Sequence, residues 1–128
     1  MVLNFVFLAH AAVACVSATA MLFFPKWFTE AATGVNLGSD PVSVLAIAYL
    51  RLAAIGAIAI VAGSTLARQS ASTRARWAGL IAMLVLLAAT LAIALFVPFA
   101  PLRLTAIAIS AAFVAAYLYV LLFARDEV

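Results

Sequence analysis

Four long apolar stretches occupy most of this chain, and their length constrains its fold more than any other feature. They cover about residues 2–24, 41–67, 77–97 and 102–124, and a transmembrane helix needs about 20 mostly apolar residues. Of the 128 residues, 70% are hydrophobic and 9% are charged, whereas an average soluble domain is about half apolar and about a quarter charged. A soluble chain of this length cannot bury so much apolar surface. The sequence therefore predicts an integral membrane protein.

The pattern within the stretches predicts helices, since none alternates as a strand does. The second helix has a clear start, because Asp40 suits the N-cap and Pro41 suits the first helical position. Residues 25–40 form the longest predicted loop, and Trp27 within it suits the headgroup level of a bilayer. The third link, 97–103, is predicted as a tight proline turn. We expect one domain, residues 1–128, folded as an all-α, four-helix transmembrane bundle with up-down-up-down topology.

The basic residues predict the orientation in the membrane. Cytoplasmic loops carry an excess of Lys and Arg, and four such residues lie on one side of the predicted bundle against two on the other. We therefore expect a multi-pass inner-membrane protein with both termini and the 68–76 loop in the cytoplasm. No Lys or Arg precedes the first apolar stretch, so it lacks the charged start of an export signal and is expected to remain as a helix. The larger basic set is Arg68, Arg74, Arg76 and Arg125.

Several kinds of site are not expected. The chain has one cysteine, Cys15, and one histidine, His10, which together supply neither a disulfide nor a metal or haem ligand set. No catalytic constellation is present, and we predict no metal and no cofactor. The net charge of +3 rests on only seven Lys and Arg residues, so it indicates no nucleic-acid partner.

Arg51 is the residue that most needs explaining. It lies about 15 Å past the predicted start of its helix, near the middle of a hydrocarbon core about 30 Å thick. A charge at that depth costs about 2.5 to 3.5 kcal/mol on insertion scales and usually has a partner. The predicted spans contain no carboxylate, so the partner is Glu30 of the loop, a backbone carbonyl or a bound molecule.

Two roles for Arg51 remain open. In the first, it contacts loop carbonyls or extends to the interface and fixes its helix against the first one. In the second, it lies in an outward-opening cavity and receives an anionic or carbonyl-bearing ligand or a lipid headgroup. The candidate ligand-binding residues are Arg51, His10, Tyr49 and Glu30. His10 is either a hydrogen-bonded packing residue or a proton-handling group near Arg51.

Three segments resemble small four-helix bacterial inner-membrane proteins of the DoxX-like type. They are FFPKWF at the end of the first helix, SDP at the end of the long loop, and YLRLAAIGAIAIVAG. The last segment is similar to the pattern of an Arg followed by small residues and a Gly in those proteins. The resemblance extends over residues 1–124 and implies a fold and a membrane location, with little about activity.

Three functions follow as hypotheses. The first is an accessory or structural subunit without catalytic activity, either self-associating or bound to a larger membrane complex. The second is a protein that binds or transports a small ligand, a lipid or a quinone through Arg51, Tyr49 and His10. The third is an enzyme on a lipid-soluble substrate, with His10 as base and Arg51 as anion stabiliser. The residues favour the first over the other two, so enzyme activity is not our leading expectation.

Overall fold

The computed structural model describes residues 1–96 and 103–128, and helices make up most of that part of the chain. Four of these helices are long and apolar enough to cross a membrane, and the predicted all-α membrane bundle is confirmed. A shorter helix follows the first long one, and a 3₁₀ turn, Arg125–Glu127, follows the last. The helices are α1 (Val2–Phe23), α2 (Pro25–Thr33), α3 (Pro41–Arg68), α4 (Thr73–Phe96) and α5 (Arg103–Phe123).

The four long helices close into a ring. Helix α1 packs against α3 and α5, and α4 packs against the same two helices from the other side. Two contacts fix α1 and α3 as antiparallel: Arg51 meets Leu22 at one end, and Arg68 meets Asn4 at the other. Residues 69–72 are the short turn between α3 and α4. We call this end of the bundle the 69–72 end and the opposite one the α2 end.

Helix α5 completes the alternation. Val120, near its end, belongs to the same buried cluster as Leu3 at the start of α1, so α5 runs antiparallel to α1. The described chain thus begins and finishes at the 69–72 end. A second buried cluster joins α1, α3 and α4. Its members are Phe7, Ala11, Val61 and Met83.

Helix α4 begins before its apolar stretch does. It starts at Thr73, four residues ahead of the predicted start at Trp77, and the 68–76 loop is correspondingly reduced to residues 69–72. The Ser72 hydroxyl accepts from the Ala75 amide at 3.4 Å, and Arg76 donates to the carbonyls of Ser70 and Ala71 at 3.1 and 3.0 Å. Hydropathy marks where a helix enters the membrane, whereas these caps mark where the helix begins. The predicted proline turn at 97–103 lies largely outside the described residues.

The predicted 25–40 loop is also corrected, because its first half is helix α2. Pro25 has no amide hydrogen, so α1 cannot continue through it, yet proline suits the first turn of a new helix. Gly34 ends α2 in the left-handed conformation, with φ 71°, and its amide donates to the Glu30 carbonyl at 2.8 Å. Glycine adopts this conformation without steric cost. Only residues 34–40 remain as a loop.

The close approach between α3 and α4 depends on Gly79. A Cβ atom built on Gly79 would lie 2.8 Å from the Ser64 carbonyl oxygen and 3.0 Å from the Ala67 Cβ. A Cβ atom built on Gly63 of α3, by contrast, meets nothing within 4 Å. The close packing of α3 and α4 therefore depends on Gly79 and not on Gly63.

Candidate functional site

Arg51 caps the end of α1. Its Nε donates to the Leu22 carbonyl at 3.2 Å. The last carbonyls of a helix lack partners within the helix, and the Leu22 carbonyl is one of these. Helix α1 carries no basic residue in its last turn, so Arg51 of α3 supplies the positive charge that favours a helix C-terminus. Of the partners considered from the sequence, the structure shows a backbone carbonyl.

This contact changes the depth expected for Arg51. Helix α1 is about 33 Å long at about 1.5 Å per residue, close to the roughly 30 Å thickness of a hydrocarbon core. Its end at Phe23 therefore lies near a membrane boundary, and Arg51 is level with that end. The sequence-based depth was counted from the start of α3 alone, whereas the register between α1 and α3 places Arg51 level with the C-terminal end of α1.

A second arginine marks the other boundary. Arg68 NH2 donates to Asn4 Oδ1 at 2.9 Å, at the start of α1. The rise from Arg51 to Arg68 is about 26 Å, slightly less than a hydrocarbon core. Trp27 and Trp77 lie near the same two levels, as an interfacial aromatic belt requires.

An open groove of about 450 Å³ lies beside Arg51, where α1 gives way to α2. Two of its lining side chains are cations, Arg51 and Lys26, and both are exposed. The remainder of its wall is apolar and none of its lining residues is acidic. We call it the Arg51 groove. Its other lining residues are Phe23, Phe24, Pro25, Trp27 and Ile47.

The other predicted site residues lie away from this groove. Tyr49 is exposed, at 63%, and lies two residues before Arg51, which puts it on nearly the opposite side of α3. Glu30 is exposed on α2 and does not line the groove. His10 lies along α1 at about 18 Å from Leu22. The structure therefore does not bring Tyr49, Glu30 and His10 together around Arg51.

His10 belongs to the bundle core. Its Nδ1 lies 3.1 Å from the Tyr117 hydroxyl, and its ring packs against Phe113 with the centroids 4.9 Å apart. His10 and Tyr117 are both buried. The pair joins α1 to α5, as expected of a hydrogen-bonded packing residue. Its position in the first half of α1 separates it from Arg51, which contacts the last turn of that helix.

The first turns of α3 form a second notable surface. Between Pro41 and Arg51 the helix rises about 15 Å, and this segment continues beyond the end of α1. We call residues 41–50 the α3 extension. One side of it is apolar and exposed: Val42 at 76%, Leu45 at 56% and Tyr49 at 63%. These residues recur at the spacing of one helix face.

The α3 extension begins at a well-formed cap. The Ser43 hydroxyl donates to Asp40 Oδ1 at 2.7 Å, and the Ser43 amide donates to Oδ2 at 3.0 Å. These bonds hold the pKa of the Asp40 carboxyl below its ordinary value of 3.8, and the bond from the Ser43 hydroxyl lowers it more than the bond from the amide. Asp40 is thus committed to the helix start and is not a partner for Arg51.

Sequence reasoning missed Lys26, Trp27 and Ile47 as groove residues. Ile47 lies one turn before Arg51, so the helical period brings the two to one side of α3. No comparable signal connects Lys26 to Arg51, because their approach depends on how α1 and α3 align. In residues 1–96 and 103–128, no group of three or more His, Cys, Asp or Glu is placed to hold a metal ion.

Comparisons with protein-family models, with curated proteins and with solved structures give no match for this chain. The chain has the four apolar helices of a multi-pass membrane bundle.

Proposed function

We propose that this chain is a non-catalytic accessory subunit that docks onto a neighbouring membrane protein through the α3 extension. The neighbour is a second copy of the chain or a subunit of a larger complex. The observation that supports the proposal is the exposed apolar face of Val42, Leu45 and Tyr49 beyond the end of α1. Hydrocarbon covers the apolar faces within the bilayer, but this segment lies at or past its boundary.

The free energy of covering this face is substantial. Fully burying one large aliphatic side chain is worth about 1.5 to 3 kcal/mol. Contiguous apolar patches on a protein surface commonly mark interaction sites. A helix of a neighbouring protein at the membrane boundary would cover all three side chains together.

The proposal includes a location. We propose a bacterial inner membrane, as the DoxX-like resemblance implies, with the 69–72 end in the cytoplasm because Arg68, Arg74 and Arg76 lie there. The α2 end, with the Arg51 groove and the α3 extension, would then face the periplasm.

Photocrosslinking in native membranes tests the docking. A photoreactive amino acid at Leu45 should give a discrete protein adduct, whose mass identifies a second copy or another subunit. The matched control is Val85, which is 62% exposed and lies midway along the apolar helix α4. Val85 should yield no protein adduct. If the two positions give the same products, the α3 extension is not a docking face.

The Arg51 groove favours a second candidate function, the binding of a small ligand, a lipid or a quinone. Its two cations face an open space of about 450 Å³, within the roughly 300–1,000 Å³ of typical ligand sites. Mass spectrometry of small molecules retained through purification in mild detergent tests this function. We expect retained material to fall in the Arg51→Gln variant, and unchanged retention would remove the groove from consideration.

A further inference from the structure

We propose that the Arg51 groove binds the phosphate of an anionic lipid headgroup. This inference names a ligand class for the second candidate function. It uses the membrane placement of the bundle but does not depend on docking through the α3 extension.

Arg51 is held in position for such a ligand before it binds. The bond from its Nε to the Leu22 carbonyl fixes the guanidinium against the end of α1. A guanidinium has five N–H donors, and no other hydrogen bond from Arg51 is formed within the described residues. The NH1 and NH2 groups therefore remain to donate to two oxygens of one phosphate, the bidentate geometry that Arg favours.

Lys26 supplies a second positive charge. It lines the same groove as Arg51 and belongs to the first turn of α2. The positive end of the α2 dipole thus also lies at the groove. The C-terminal end of α1, which is the negative end of its dipole, lies at the same place. Arg51 compensates part of that negative charge through its contact with the Leu22 carbonyl, and the positive end of the α2 dipole offsets more of it.

The charges of the wall select among lipids. Phosphatidylcholine carries a cationic group beside its phosphate, and in this groove that group would lie next to two further cations, Arg51 and Lys26. The groove offers two cations and no acidic lining residue, so a headgroup with net negative charge fits better. Near the membrane boundary, basic residues gain from anionic lipids in this way.

The apolar residues that line the groove, and its position near the proposed membrane boundary, suit the acyl chains of the lipid. Phe23 and Ile47 line the groove next to the boundary at which α1 ends. Trp27, which is 60% exposed, provides the amphipathic ring typical of the headgroup level. A phosphate between Arg51 and Lys26 thus leaves the acyl chains directed toward the hydrocarbon region.

Native mass spectrometry of the full chain in mild detergent tests the proposal. Phosphatidylglycerol and phosphatidylcholine are titrated separately, and the dissociation constant of the first bound lipid is measured for each. We expect phosphatidylglycerol to bind about tenfold more tightly, as for one or two charge-assisted bonds. Arg51→Gln and Lys26→Gln should each weaken its binding by about tenfold.

The control is Arg74→Gln, which removes an exposed charge at the 69–72 end and should leave phosphatidylglycerol binding unchanged. Lys26→Gln keeps the test valid if Arg51→Gln loosens the contact between α1 and α3. Equal affinity for both lipids, or an equal loss in all three variants, would overturn the proposal. If an equal concentration of inorganic phosphate displaced the lipid, the ligand of the groove would be free phosphate and not a lipid headgroup. A negative result in this lipid titration does not affect the crosslinking result at Leu45, so the lipid proposal and the docking proposal are tested independently.

Discussion

At the scale of single residues, a few polar side chains of the described helices connect one helix to another. Arg51 joins α3 to the end of α1, and His10 joins α1 to Tyr117 of α5. A hydrogen bond between helices in a membrane is worth about 0.6 to 2 kcal/mol. Arg51 differs from the buried pair because it is exposed and lines an open groove, which is why we place a ligand there.

The His10–Tyr117 pair gives a direct test at this scale. Tyr117→Phe leaves the His10 ring nitrogen buried without its partner, so thermal unfolding in detergent should show a loss of about 1 to 3 kcal/mol. Tyr119→Phe is the matched control, since Tyr119 is 56% exposed, and should change stability little. The double variant His10→Phe with Tyr117→Phe should recover much of the loss, because no polar group then remains unpaired. An equal effect of Tyr117→Phe and Tyr119→Phe would contradict the role of the pair.

Asp40 predicts a pH dependence at the start of α3. Its pKa is lower in the folded state than its ordinary value of 3.8, so its capping contribution is fully present above that value. The contribution is lost as the pH falls through the lower, folded-state pKa. Amide hydrogen exchange at residues 42–44, corrected for intrinsic rates, should therefore accelerate only below about pH 4.

The control for this titration is Asp40→Asn, which caps a helix without ionising. Exchange in that variant should show no corresponding step. A step that persists in Asp40→Asn would assign the effect to another group.

At the scale of helices, the sequence predicted the spans well and their contacts poorly. Apolar length alone locates α1, α3, α4 and α5, because a bilayer demands about 20 apolar residues whatever the packing. Helix α2 was not predicted because it is short and amphipathic, and only Pro25 and Gly34 mark its ends. The close approach of α3 and α4 at Gly79 was not predicted because glycines and alanines recur throughout the chain, and their spacing alone does not select one pair.

Gly79 and Gly63 should respond in opposite directions to the same substitution. Gly79→Ala places a Cβ atom against the backbone of Ser64, and the forced separation of α3 from α4 should cost about 1 to 3 kcal/mol. Gly63→Ala meets open space and should gain up to about 1 kcal/mol from helix propensity. Thermal unfolding of both variants in one detergent measures the difference. The packing account is contradicted if Gly79→Ala is as stable as Gly63→Ala.

At the scale of the whole molecule, the predicted fold is confirmed, while the predicted grouping of site residues is not observed. Sequence patterns set the depth of Arg51 only relative to its own helix. The depth in the membrane depends on how α3 aligns with α1, which is set by contacts such as Arg51 with Leu22 and Arg68 with Asn4. The Arg51 groove and the α3 extension both follow from that alignment.

The orientation of the molecule is a separate prediction. In a Cys15→Ala background, a cysteine at Ser72 should react with a membrane-impermeant reagent only after the cells are opened, because the basic 69–72 end is expected in the cytoplasm. A cysteine at Asn36, in the loop at the α2 end, should react in intact cells. The reverse pattern would invert the orientation and place the Arg51 groove in the cytoplasm.

The alignment of α3 in the bilayer is the central claim, and a depth profile along one face of that helix tests it most directly. Leu45, Leu52, Ala59 and Leu66 are all exposed and recur at heptad spacing, so a nitroxide label at each samples the same side. Relative accessibility to oxygen and to a water-soluble nickel complex reports the depth in lipid nanodiscs. We predict that Ala59, roughly midway between Arg51 and Arg68, is deepest and that Leu45 is accessible from water. A profile deepest at Leu52 would return Arg51 to mid-membrane and contradict the account.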